Sequence, residues 1–229
     1  MNPASSLKRG LAALLVLPAL AFAQSTRTIE TAPYLPPAYT ANFTRSIEFL
    51  ATGKAESPAG EVKAAVSGSQ KPGSRVKRFD REWIGVEQTG LIMLGDEKFD
   101  STHLYLFDPG TGLLGYMIDR DDDSFVRYEW TGVPARIPVG EAVTVGKLTG
   151  TTKDGKLTSV GVVSFRAQDT KGGLEFCQVE VTIEADSGDK NVSEECYTFD
   201  TSRVPTSTRA SLEMDGKKIL EASGPIRLR

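Results

Sequence analysis

Histidine is nearly missing from this chain: His103 is the only one in 229 residues. A serine or cysteine nucleophile activated by an imidazole therefore has one place to be, and no nucleophile-elbow pattern accompanies it. His103 sits instead in an alternating run, with Tyr105 and Phe107 on its parity and Leu104 and Leu106 on the other. Cysteine is almost as scarce. Cys177 and Cys196 with one histidine fall short of the ligands a structural zinc site takes. A basic excess is lacking too. At a formal net charge of −3 the chain does not neutralise phosphates, so no nucleic-acid partner is expected. Helical periodicity is absent beyond the N-terminus, and so is any second long apolar run.

The one apolar run, residues 11–20, follows Lys8 and Arg9 and leads to Ala21-Phe22-Ala23. A charged start, a short apolar stretch and a small-x-small site make residues 1–23 an export signal. The run falls short of the roughly 20 apolar residues that span a bilayer, and Pro18 breaks it. Cleavage takes the net charge from −3 to −5 by removing Lys8 and Arg9. The mature chain is expected to be periplasmic or extracellular, soluble, and without a transmembrane segment. Two cysteines in an oxidising compartment pair, so a Cys177–Cys196 disulfide is expected.

Residues 24–40 carry Pro33, Pro36 and Pro37 with Tyr34 and Tyr39 among them, which reads as an extended, polyproline-like lead-in. Residues 41–229 read as a single all-β domain. Short alternating runs are separated by turn chemistry such as Pro109-Gly110, Asp154-Gly155 and Asp215-Gly216. The expectation is a mostly antiparallel β-sandwich or open barrel of about 10–13 short strands. Gly85 and Gly90 mark a bulge or bend in the run 82–95. A membrane barrel would need an apolar outer belt on nearly every strand, and runs such as 61–66 and 191–195 are too polar for that.

The disulfide closes a hairpin. Along residues 175–184, Cys177, Val179, Val181 and Ile183 share one face, while Gln178, Glu180, Thr182 and Glu184 share the other. The alternation puts the cysteine on the apolar, buried face. With Cys177 opposite Cys196, the turn falls between Asp186 and Ser187. Val179 then faces Glu194 and Val181 faces Val192.

Three groups of residues are candidate sites. Arg75, Lys77, Arg78 and Arg81, with Lys71 nearby and Trp83 beside them, make a basic stretch that could hold an anionic group. Tyr105, Phe107, Tyr116, Phe125, Tyr128 and Trp130 read as filling one core. The alternative is an apolar pocket with Tyr116 and Tyr128 at its mouth. Asp119, Asp121 and Asp123 have the every-second-residue spacing of a calcium loop. Ser124 then stands where the tight-turn glycine belongs and Trp130 where the bidentate glutamate belongs, so no metal or other cofactor is assigned.

The resulting expectation is a non-catalytic exported binding or interaction domain for an apolar or anionic envelope ligand, lipid or polysaccharide, or for an envelope protein. Two alternatives stand beside it. One is a secreted polysaccharide hydrolase using two carboxylates at a defined separation. The other is a structural component of the cell envelope.

Overall fold

The computed structural model describes residues 27–40, 42–57 and 60–229. The export signal read at residues 1–23 lies outside them. The chain opens with β1 (Thr28–Glu30), a 3₁₀ turn (Ala32–Tyr34) and a four-residue helix α1 (Pro36–Tyr39). The first half of the sheet follows as β2 (Ile47–Ser57), β3 (Gly60–Gln70), β4 (Ser74–Arg78), β5 (Arg81–Leu94), β6 (Glu97–Phe107), β7 (Leu114–Asp119) and β8 (Phe125–Trp130). A short β9 (Arg136–Pro138) leads to β10 (Ala142–Thr151), β11 (Leu157–Thr170), β12 (Gly173–Glu184), β13 (Lys190–Phe199), β14 (Pro205–Met214) and β15 (Lys217–Leu228).

Each strand from β2 onward, β9 excepted, pairs antiparallel with its neighbour, and the sheet closes on itself. β15 returns to β2, with Leu228 opposite Ile47, and β3 meets β5. β4 is not a further stave. Ser74–Arg78 and Ala64–Gln70 lie end to end along the same edge of β5, so β3 and β4 are one strand broken at Lys71-Pro72-Gly73. Pro72 brings no N–H to the ladder, which favours the break there. The wall is thus a closed barrel of twelve strands. This corrects the sandwich or open barrel expected above: alternation within each strand does not reveal that the first and last strands meet. β5 has the expected length of the run 82–95, while β11 at 14 residues is longer than a short strand. No break occurs at Gly85 or Gly90, since β5 runs in unbroken register against β6.

The lead-in is extended only at β1, and its proline-bearing part is helical. Pro33 starts the 3₁₀ turn, and Pro36 and Pro37 start α1. Proline suits first-turn positions because its fixed φ matches and its missing N–H would lack a partner there anyway. β1 pairs with β9, burying Ile29 and Ile137, and the segment stoppers one end of the barrel. The Tyr34 ring stacks on Phe176 at 5.7 Å between centroids and meets Phe199 edge-on at 5.0 Å. Ile47, Phe107, Leu114, Val145, Phe165 and Phe199 complete this apolar plug.

A smaller cluster lies on the outside of the wall. Trp83, Leu104, Leu106 and Ile118 are buried under the tip of the β4–β5 hairpin. Phe79 at that tip stacks on Tyr116 with centroids 4.2 Å apart. Gly115 permits the packing: a Cβ there would sit 2.3 Å from the Trp83 ring. The aromatics expected in one core are therefore split by the wall. Tyr105, Phe107, Tyr128 and Trp130 belong to the inner cluster, while Tyr116 and Phe125 belong to the outer one.

The register of the disulfide hairpin is as the sequence implies: Cys177 opposite Cys196, Val179 opposite Glu194, Val181 opposite Val192. Its sidedness is the reverse. Phe165 faces inward in the plug and pairs with Gln178, and Val163 pairs with Glu180. Gln178, Glu180, Thr182 and Glu184 therefore face the barrel interior, and Cys177, Val179, Val181 and Ile183 face out. The valines group with Val160, Val162 and Val192 across the outer surface, and Ile183 is 49% exposed. The cysteines are nonetheless fully buried, because charged side chains cover them.

The outer face elsewhere carries Lys54, Lys63, Glu87, Arg127, Lys147 and Glu221, which pair across strands with other outward positions. Lysine or arginine at mid-bilayer on a lipid-facing wall costs about 2–4 kcal/mol each, so this face is not a lipid belt. No helix among the described residues is long and apolar enough to cross a membrane.

Candidate functional site

Between the plugged end and the opposite hairpin loops, the barrel holds a half-open cavity of about 420 Å³. That is within the range of about 300–1,000 Å³ typical of small-molecule sites. Its floor is Tyr34, Leu35, Pro36 and Phe43. One side is aromatic and apolar, built by Tyr105 and Phe107 on β6, Met117 on β7, and Tyr128 and Trp130 on β8. The facing side is polar, built by Gln178 and Glu180 on β12 and Ser193, Glu195 and Tyr197 on β13. Trp130 is held in place by its indole N–H, which donates to the Leu114 carbonyl at 2.6 Å.

Two carboxyls stand inside. Glu180 accepts from the Tyr128 hydroxyl at 3.0 Å and from the Gln178 amide at 2.7 Å. Glu195 accepts from the Tyr197 hydroxyl. It is open to the cavity, although the wall surrounds it. The two acids are diagonal neighbours, because Glu180 pairs with Ser193 and Gln178 with Glu195. Burial pushes both carboxyls above the usual carboxylate range. Their hydrogen-bond donors oppose the shift, and the Glu195 charge adds to it at Glu180. Burial, with these acids nearby, also pushes the Tyr105 and Tyr128 phenols upward. No lysine or arginine is among the described residues that line the cavity. Just off its lining, His103 pairs with Gln88 across β5 and β6, and its Nε2 lies 3.8 Å from the Asp119 carboxylate.

On the outside of the same two strands the acids are treated differently. Arg209 donates to Glu175 at 2.9 and 3.2 Å and to Glu194 at 3.1 Å. Arg166 reaches Glu194 at 3.0 Å. Arg209 also lies 3.0 Å from Cys196 Sγ, so the network roofs the disulfide. Burial works to raise the Glu175 carboxyl, but Arg209, Gln168 and Arg166 together hold it below its ordinary range. Glu175 and the two cysteines converge within metal-ligand distance, but both sulfurs are committed to each other.

The residues singled out from sequence are dispersed. Tyr128 lines the cavity; Tyr116 lies on the outer wall beneath Phe79. Trp83 is buried in the outer cluster, with the Arg81 guanidinium 4.0 Å over its ring. Arg75, Lys77, Arg78 and Arg81 are exposed on the β4–β5 hairpin, where Arg75 pairs with Glu82 and Arg81 with Asp108. Asp119, Asp121 and Asp123 are not drawn to a common point. Asp119 accepts from the Asp121 backbone at 2.7 Å and faces His103, while Asp123 pairs with Lys153 at 2.7 Å. Glu180 and Glu195 were not singled out, because their alternation reads as a solvent face. Comparison with known protein families, with curated proteins and with solved structures finds no match.

Proposed function

We propose that this is a non-catalytic, exported binding protein that houses a small, largely apolar ligand inside its barrel. The observation that carries the reading is the half-open cavity of about 420 Å³ with aromatic walls, a floor and a few convergent polar groups. Export rests on the N-terminal leader pattern and fits a disulfide between the only two cysteines. An anionic ligand has less support, since basic residues are missing from the lining and two of those on the outer hairpin are already neutralised.

The hydrolase reading has one observation in its favour, the inward carboxyl pair Glu180 and Glu195. Acid–base division of labour needs environments that push two pKa values apart. Here both are pushed up, and both acids stand on adjacent strands of one wall instead of flanking a substrate. Binding is therefore the better reading. Its test is purification without detergent, solvent extraction and mass spectrometry, with titration of an apolar fluorescent probe. A co-purified amphiphile or saturable binding at one site per chain is expected. A chain that carries nothing and binds no probe would overturn the proposal.

A further inference from the structure

We infer that the ligand's polar end is a protonated amine or a similar hydrogen-bond-donating cation, seated against Glu180 and Glu195. This rests on the binding function proposed above and specifies its chemistry. β12 and β13 treat the acids on their two faces differently. Their outward acids, Glu175 and Glu194, are each met by arginine at 2.9–3.1 Å. The two inward acids at the cavity, Glu180 and Glu195, meet only tyrosine hydroxyls and a glutamine amide. A carboxylate walled in without a counter-charge is costly, and that cost favours its protonated form. Two such groups side by side add mutual repulsion. A purely hydrocarbon ligand would be better served by leucine at either position.

The surroundings suit a cation. From β6, Tyr105 faces the pair; from β8, Tyr128; from β13, Tyr197. From β11, Val163 and Phe165 face β12, and from β14, Thr208 and Ala210 face β13, so these strands bring no charge. His103 on β6 and Asp119 on β7 lie beyond the lining, and Glu184 ends β12. The ring faces of Tyr105, Tyr128 and Trp130 attract a cation electrostatically. An ammonium entering here gives each carboxyl the partner that Arg209 and Arg166 give the outer acids. Where the carboxyls are protonated beforehand they ionise as the ammonium binds, so binding on the acid side releases protons to solvent.

The test uses the mature chain and three matched probes, decylamine, decanol and decanoate, in calorimetric titrations at pH 8 and pH 5. At pH 8 the amine is expected to bind about tenfold or more tightly than the alcohol, a difference of about 1.4 kcal/mol, with decanoate weakest. The advantage shrinks at pH 5, and titrations in buffers of different ionisation enthalpy register proton release. Glu180→Gln and Glu195→Gln test the two carboxyls directly. These variants, checked for folding by circular dichroism, bring the amine-to-alcohol affinity ratio toward one. Equal binding of amine and alcohol by the unaltered chain, with no proton release, would overturn the inference and leave an apolar pocket. Binding of none of the probes would overturn the pocket as well.

Discussion

Filling the cavity with the protein's own atoms separates a binding site from a packing defect. Ala210 on β14 lines the cavity and is only half-buried. It lies opposite Glu195 on one side and Ala222 on the other. Ala210→Leu adds three carbons directed into the open space. At about 0.8 kcal/mol per buried methylene the gain is about 2.4 kcal/mol, less about 0.5–1 kcal/mol of leucine rotamer entropy. The net is a stabilisation of about 1.5–2 kcal/mol, an upper value because unfolded chains already bury some surface. For a domain of this size that raises Tm by about 3–8 °C. Scanning calorimetry reads the stability, and titration with an apolar fluorescent probe reads the site. The variant should melt higher and bind the probe more weakly. A lower Tm would mean the space is already filled and has been overpacked. A higher Tm with undiminished probe binding would place the ligand outside the barrel.

Three further outcomes follow from the same geometry. Replacing both Cys177 and Cys196 with alanine opens a loop of 19 residues' separation and should cost about 3 kcal/mol in urea denaturation. The barrel should still fold, and complete loss of structure would show that the plug does not sustain it alone. Arg209→Ala leaves Glu175, whose side chain is 7% exposed, without its arginine and Glu194 with Arg166 alone, and should cost about 3 kcal/mol. The Glu175 carboxyl is held below its ordinary value, so its contribution is present above the unfolded value of about 4.5 and is lost as pH falls through the folded one. A Tm profile of Arg209→Ala should show a weaker loss toward acid. Glu195→Gln should behave in the opposite sense. Burial raises that carboxyl, so the unaltered chain loses stability as pH rises from about 4.5 through the raised value. The variant stays neutral, melts higher at pH 8 and gains nothing at pH 4; an equal gain at both would assign the effect to packing.

Local features were legible in the sequence. The Asp186–Asp189 turn and the cysteine register need only the hairpin itself, and the observed pairing of Val181 with Val192 follows from them. Sidedness was not legible. Whether Val181 or Glu180 faces inward depends on how the whole sheet closes, and on whether the interior is packed or hollow. A strand beside a hollow can point its polar residues in, while its valines pair with neighbouring valines outside. The register itself held an overlooked signal. It places Gln178 beside Glu195 and Glu180 beside Ser193, so Glu180, Glu184 and Glu195 fall on one face with no basic residue on either strand's same parity. The proline-rich segment was misread for a related reason. Pro33, Pro36 and Pro37 are compatible with an extended chain and with first turns of helices, and contact of Tyr34 with Phe176 and Phe199 decides between them.

The number of strands explains why there is a cavity to fill. A barrel of about eight strands has an interior that side chains can fill, and the diameter grows with strand number. Twelve strands leave more space than the inward side chains occupy. The chain removes the surplus at one end by folding residues 27–40 and 42–46 into the opening, where Tyr34, Leu35 and Phe43 join the aromatic cluster. It does not do so in the middle. There Ser193 and Ala210 face inward where leucine or phenylalanine would gain about 1.5–3 kcal/mol each, and Glu180 and Glu195 stand where neutral residues would cost less. Small residues opposite aromatic rings, with acids that lack a counter-charge between them, retain volume and polarity at the expense of stability. The plug supplies the stability that permits this. Substitutions in the plug should therefore lower Tm, and substitutions around Ala210 and Glu195 should raise it while weakening the ligand.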